Sequence, residues 1–268
     1  MQNFNYHTHT YRCGHADDAM RDEDFVNELI EKGFKEMAFT DHAPSKDGID
    51  DKRYMRMRLT DKEDYINSVK SLKEKYKDII DIKLGFEIEY LPGQEDNLFE
   101  LKNETNILVL GQHYIYSDDN KTIKKFRHHD FTDEDLIKYA EHICAAIEKG
   151  IPDIIVHPDL YMLARESFNE NEEKVAHMIC KCAEKYGVPL EINLTDPFLY
   201  LSGIKDRVVY PSKEFWEIAS NYNIKVIYGI DAHYKEQIRM YEESMDLANK
   251  IIGKDVIEKL NFINDIKE

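Results

Sequence analysis

Lys225-Val-Ile-Tyr-Gly-Ile-Asp-Ala-His233 is the stretch whose reading decides the fold. Lys225–Gly229 is a short apolar run ending in glycine, the pattern of a buried strand, and Asp231 and His233 follow it directly. The same order, apolar run then metal-type side chain, recurs along the chain. Phe4–His7 leads into His7-Thr8-His9, Glu36–Asp41 into Asp41-His42, and Ile107–Gly111 into His113. Ile154–His157 ends in His157, and Ile82–Glu89 carries Glu87 and Glu89. With Pro189–Asn193 this makes seven strand candidates, six of which deliver such a side chain at or near the same end.

Helical stretches separate the runs. Phe25, Val26, Leu29, Ile30 and Phe34 mark one helix face. Thr60 with Glu63 and Asn169 with Glu172 have capping-box spacing, Thr132 and Ser212 are expected N-caps, and Gly150 and Gly187 stand where left-handed C-caps belong. Strand–helix alternation predicts parallel strands with crossover helices, in a barrel or a doubly wound sheet. In both, chemistry gathers at the carboxyl ends of the strands. The 268 residues, 42 % of them hydrophobic, suit one α/β barrel domain or two small domains; no repeat, low-complexity tract or linker divides the chain, and one domain over 1–268 is expected.

The formal net charge of −17 argues against a nucleic-acid partner, since phosphate backbones are bound by Lys and Arg. It allows a small anionic substrate, because bound divalent cations invert the local potential. The sequence has no apolar run of membrane-spanning length and no charged, apolar leader, so a cytoplasmic protein with no membrane partner is expected. Cys13, Cys144, Cys180 and Cys182 are few and irregularly spaced, which fits a reducing compartment better than a disulfide scaffold.

One histidine at a strand end is most often a hydrogen-bonded core residue. Convergence of many is what carries the metal reading. His7 and His9, two apart on a strand, face one side and can share an ion; Asp231 and His233 do the same if the chain stays extended there. Imidazole with carboxylate suits Zn, Mn or Fe, and the number of donors implies two or three ions. Such a centre fits hydrolysis of a phosphate ester, with amide and nucleobase hydrolysis also within reach. Strand parity does not separate Glu87 from Glu89, and Glu191 and Asn193 share a face as supporting residues. His128 and His129 are expected in a solvated loop, and His142 and His177 inside helices away from the strand ends. Arg165, after the fifth strand, and Arg207, after the sixth, are candidates to grip phosphate bidentately.

His7-Thr-His9, His15, Thr40-Asp41-His42, Gly85-Phe86-Glu87, Gly111-Gln112-His113, His157-Pro158-Asp159 and Asp231-Ala232-His233 resemble, in order and over nearly the whole chain, the polymerase and histidinol phosphatase (PHP) family. The resemblance implies a distorted (β/α)7 barrel with a trinuclear metal site. Within the family the chain is most similar to the histidinol-phosphate phosphatase branch, through His7-Thr-His-Thr-Tyr-Arg-Cys-Gly-His15, Asp41-His-Ala-Pro44, Arg56-Met-Arg58, Leu84-Gly-Phe-Glu-Ile-Glu-Tyr90 and Arg207-Val-Val-Tyr-Pro211. It implies one ion on His7, His9, Glu87 and Asp231, a second on Glu87, His113 and His157, and a third on His15, His42 and His233. Asp17 stands where the branch varies, and could replace His15 as a ligand, donate a proton to the leaving group, or have no role.

The expected reaction is hydrolysis of L-histidinol phosphate to L-histidinol and phosphate in histidine biosynthesis, by a metal-bridging hydroxide attacking phosphorus in line. The partner is then a small phosphorylated substrate. The rivals are a PHP-type enzyme acting on nucleotides or other small phosphomonoesters, a metal-dependent amidohydrolase, and a non-catalytic metal-binding protein. Strand four leads into Gly111-Gln112-His113 rather than a bridging lysine or carboxylate, which disfavours the amidohydrolase.

Overall fold

The computed structural model describes residues 2–44, 56–116, 123–126 and 131–264. In chain order the strands are β1 (Phe4–Asn5), β2 (Glu36–Phe39), β3 (Asp81–Ile88), β4 (Ile107–Leu110), β5 (Tyr114–Tyr116), β6 (Ile123–Lys125), β7 (Ile154–Ile155), β8 (Leu190–Asn193), β9 (Lys225–Gly229) and β10 (Asn261–Phe262). The helices are α1 (Asp22–Glu31), α2 (Lys62–Tyr76), α3 (Glu95–Glu104), α4 (Asp133–Glu148), α5 (Glu170–Tyr186), α6 (Thr195–Leu201), α7 (Lys213–Ala219), α8 (Lys235–Arg239), α9 (Tyr241–Ile252) and α10 (Lys254–Ile257).

All seven predicted strands form, and they pair parallel in the order β1-β2-β3-β4-β7-β8-β9, with β10 added parallel beyond β9. The sheet curls until its two sides meet just past β1 and β9. There Thr8 and Ala232 form a parallel bridge, with His9 N–H donating to Ala232 O at 2.9 Å and Ala232 N–H to His7 O at 3.1 Å. The α/β barrel expectation, a distorted (β/α)7 barrel, is met. Two features were not predicted: β10, only two residues long, and the antiparallel β5–β6 hairpin directly after His113.

Strand alternation sends side chains to two cores. Phe4, Tyr6, Ala38, Ile107, Val109, Ile154, Val156, Ile227 and Ile263 pack together inside the barrel. Outward residues such as Met37, Phe39, Ile82, Leu84, Phe86, Ile155, Ile192 and Val226 join the helices in the larger core. Helix ends follow the local chemistry. Thr132 and Asn169 make capping boxes, Ser212 caps α7, and Gly150 and Gly187 take left-handed φ of 66° and 70°. The Thr60–Glu63 box does not form: Leu59–Asp61 is a 3₁₀ turn, α2 begins at Lys62, and the Thr60 hydroxyl donates to Asp61 instead. The four cysteines are free thiols. His142 lies buried in α4, and His177 lies on α5 against the Tyr222 hydroxyl. His128 and His129 fall outside the described residues.

Candidate metal centre

β3 brings Glu87 to the middle of the barrel mouth. His157 Nε2 lies 3.0 Å from Glu87 Oε1, and His42 Nδ1, His9 Nε2 and His7 Nε2 lie 2.9, 3.4 and 3.5 Å from Oε2. His113 Nε2 stands 3.9 Å from Oε1. Five imidazoles from four strand ends therefore surround one carboxylate. The backbone makes room for it: a Cβ on Gly111 would overlap the Glu87 carboxylate, and one on Gly229 would overlap Glu191. Those glycines are sites of close approach rather than turns.

After β9, Asp231 completes the same constellation, with Oδ1 3.1 Å from His9 Nε2 and 3.4 Å from His7 Nε2. Its Oδ2 accepts from the Thr195 hydroxyl at 3.0 Å and from Asn193 Nδ2 at 3.3 Å. The chain is not extended here, as the pairing of Asp231 with His233 supposed. Asp231 has φ 52° and His157 has φ 33°, so both ligand-type residues sit in the left-handed region. Non-glycine residues are held there only when the surroundings over-determine them. His233 turns back over the site, its Nε2 2.7 Å from His15 Nε2, and its ring stacks on His9 with centroids 4.1 Å apart. His42 is 5.3 Å from His15 between ring centroids.

Several of these imidazoles are backed by a second group. Glu191 accepts from His7 Nδ1 at 2.9 Å, Glu89 from His113 Nδ1 at 2.8 Å, and Asp41 Oδ1 stands 3.7 Å from His9 Nδ1. His233 Nδ1 lies on the Asp231 carbonyl at 2.9 Å. The expectation that Glu191 and Asn193 support rather than ligate matches their placement, since Asn193 also donates to Glu191 at 2.7 Å. The structure also separates Glu87 from Glu89, which parity left open.

The electrostatics divide the histidines. Burial pulls His9 down, but the neighbouring carboxylates of Asp231 and Asp41 outweigh it and hold the ring at about 9. His7 is likewise raised, against its burial, by the charges of Asp231 and Glu191. Burial, together with the charges of His42 and His9, holds His15 down at about 2, and burial leads the lowering of His42 and His233. Glu87 and Asp231 stay ionised: burial opposes this, but His42 and His113 around the one, and His7 and His233 around the other, prevail.

Buried polar atoms point to what the cluster holds. His7 Nε2, both ring nitrogens of His9, Glu87 Oε2, His157 Nδ1 and Asp231 Oδ1 are inaccessible and lack a hydrogen-bond partner among the described residues. Leaving such atoms unmatched costs about 1–3 kcal/mol each. Donor atoms of His7, His9 and Glu87, of His7, His157 and Asp231, and of His9, His42 and His233 each lie within 4.8 Å of one another. Imidazole and carboxylate lone pairs at that spacing fit divalent ions.

Above the cluster opens a cavity of about 280 Å3, with His15, His42, Glu87, His113, His157, Asp231 and His233 on its floor. Leu160, Leu163, Phe198, Leu199 and Tyr210 form an apolar wall, with Tyr114 and Phe126 also in the lining. Arg56 and Lys125 also line it. Sequence reasoning gave neither cation a role; Arg56 stood in a loop motif whose burial no periodicity signals. Three expected residues are not brought to this cavity. Arg165 holds Glu172, Asp133 (2.7 Å) and the Phe131 carbonyl (3.2 Å). Arg207 is exposed between α6 and α7. The Asp17 carboxylate accepts from Ala19 N–H at 2.8 Å, while its own N–H donates to His233 O at 3.1 Å.

Residues 5–195 match the PHP domain. The chain belongs to the PHP family. That match ends before Asp231 and His233, which the barrel nevertheless folds back onto His7 and His9. A Schizosaccharomyces pombe protein named as a probable histidinol-phosphatase is 28 % identical, over 96 % of this chain and 88 % of its own length. A Listeria monocytogenes structure described as a candidate histidinol phosphatase superposes with TM-score 0.73 at 24 % identity, covering 89 % of this chain and 98 % of that one. Lactococcus lactis histidinol phosphate phosphatase, solved with Zn, L-histidinol and phosphate, gives TM-score 0.65 at 17 % identity, over 92 % and 94 % of the two chains. Among the described residues, no helix is long and apolar enough to cross a membrane.

Proposed function

We propose that this PHP protein hydrolyses L-histidinol phosphate to L-histidinol and inorganic phosphate, a step of histidine biosynthesis, at a centre of two or three divalent ions. The observation that carries the reading is the set of buried atoms of His7, His9, Glu87 and Asp231 without a hydrogen-bond partner among the described residues, beside a small cavity that Glu87 and Asp231 line. The histidinol phosphatases among its relatives, one of them holding Zn, histidinol and phosphate, support the choice of substrate and make Zn the first ion to test.

His7, His9, Glu87 and Asp231 would hold one ion, Glu87 with His113 and His157 a second, and His15, His42 and His233 a third. Bound divalent ions of this kind lower the pKa of water toward neutrality and offset charge on phosphoryl oxygens. The protein's own part is orientation and exclusion. Glu191 and Glu89 fix the rings of His7 and His113, and the Asp41 carboxylate stands behind His9. The wall of Leu160, Leu163, Phe198 and Leu199 limits water around a bound ester. Arg165 and Arg207 remain the candidates for holding the outer phosphate oxygens, Arg165 by exchanging Asp133 for substrate and Arg207 by turning in from solvent. Asp17, bonded through its N–H to the His233 carbonyl, is the candidate proton donor to the leaving alkoxide.

Phosphate release from a panel of monoesters with Zn, Mn or Fe tests the reading. A clear preference for histidinol phosphate over single nucleotides is expected. Activity confined to nucleotides would move the substrate while keeping the centre, and no release from any ester would sink the phosphatase reading.

A further inference from the structure

Glu87 and Glu89 leave β3 on the same face two residues apart, yet their surroundings are opposite. Glu87 Oε2, although 2.9 Å from His42 Nδ1, has no hydrogen-bond partner among the described residues. Glu89 is saturated. One of its oxygens accepts from the backbone N–H groups of His113 at 2.7 Å and Tyr114 at 3.3 Å; the other accepts from His113 Nδ1 at 2.8 Å and pairs with Arg56 at 2.7 Å. A carboxylate offers about four lone-pair directions, so these contacts leave Glu89 none for an ion.

We infer that Glu89 is a positioning residue of the metal centre, which acts through His113 to set the strength of the ion site that His113 serves. This rests on the proposed metal reading of the cluster. A carboxylate on Nδ1 keeps the proton there and leaves the Nε2 lone pair facing the site. His113 Nε2 does face inward, 3.9 Å from Glu87 Oε1, with the His157 ring 4.8 Å away between centroids. His157, the proposed partner on the same ion, lacks such support among the described residues, where its Nδ1 is buried without a hydrogen-bond partner. The negative charge behind that pair of imidazoles therefore comes through Glu89. Arg56 fixes Glu89 in turn. Its guanidinium is buried, donates to the Ala43 carbonyl at 3.0 Å directly after His42, and so ties the ends of β2, β3 and β4 together.

The test compares the full-length protein with Glu89→Gln and Glu89→Asp, each loaded with Zn or Co. Chelator competition reads each ion's affinity, and the visible spectrum of bound Co reads its ligand field. In Glu89→Gln one ion should weaken about ten- to a hundredfold while the others keep their affinity, with a change in one component of the Co spectrum. Glu89→Asp, which keeps the charge, should recover part of the loss. Should Glu89→Gln fail to fold, Glu89→Asp decides alone: selective weakening of one ion supports the assignment, and wild-type binding overturns it. A folded Glu89→Gln with wild-type affinities and spectrum, or with all ions weakened alike, also overturns it while leaving the metal reading intact. A wild-type protein that takes up no divalent ion overturns both.

Discussion

At the lower end of the barrel, Phe4, Tyr6, Ile107, Val109, Ile154 and Ile227 fill the interior with apolar side chains. A few residues further along the same strands, His7, His9, Glu87, His113, His157 and Asp231 fill it with donors, several of them buried and unpartnered. The lower end is stable by itself, because close packing of apolar groups needs no further partner. The upper end is costly without one, because clustered carboxylates and imidazoles in low dielectric are unfavourable until something accepts their lone pairs. The difference teaches where to look for function in such a barrel: at the end where burial and polarity coincide, and where the backbone tolerates a left-handed His157 and Asp231.

Glu87→Ala should separate the two ends most sharply. It removes the carboxylate at the centre of five imidazoles, so ions should be lost and turnover should fall by on the order of a thousandfold, several kcal/mol of barrier. Metal analysis with phosphate release checks it, and near-normal turnover with full metal content would falsify the ligand assignment. Ile154→Ala strikes the opposite end. It should cost about 2–5 kcal/mol of stability by denaturant melt, while the folded fraction keeps its metal and its rate. Loss of metal in that folded fraction would show that the two ends are not independent.

A pH series sharpens the contrast further. In the metal-free fold His9 holds its proton up to about 9, against an ordinary histidine value of 6.5. Its contribution is therefore complete below pH 6.5 and is lost as pH rises through about 9, at most ~3 kcal/mol. Metal-free protein should lose stability across that window, and added Zn should flatten the decline. A metal-free melt that rises over the same range would contradict the assignment. The smallest effect is expected at the rim: Arg207→Ala should lower kcat/KM for the best phosphoester about tenfold, with metal content unchanged. Unchanged efficiency would remove Arg207 from phosphate binding.

How much was legible followed from chain geometry. Parallel strands place their ends together, so apolar runs ending in His or Asp pointed to a parallel α/β sheet with its donors at one end, and the resemblance to the PHP family chose the barrel over a doubly wound sheet. The pattern could not tell Glu87 from Glu89, because both point the same way and only the partners differ: five imidazoles for one, Arg56 and the His113 backbone for the other. Loop residues were the least readable. Arg165 and Arg207 were placed by their position after strands, and nothing periodic reports that Arg165 meets Glu172 and Asp133, or that Arg56 is buried at the cavity. The β5–β6 hairpin and β10 are too short to carry a period of their own.

The most direct test is to quantify divalent metal per chain while following phosphate release from L-histidinol phosphate, before chelation, after it, and after ions are returned. The prediction is two or three ions per chain, activity lost with the ions and restored with them. Hydrolysis that persists at full rate in metal-free protein would contradict the account.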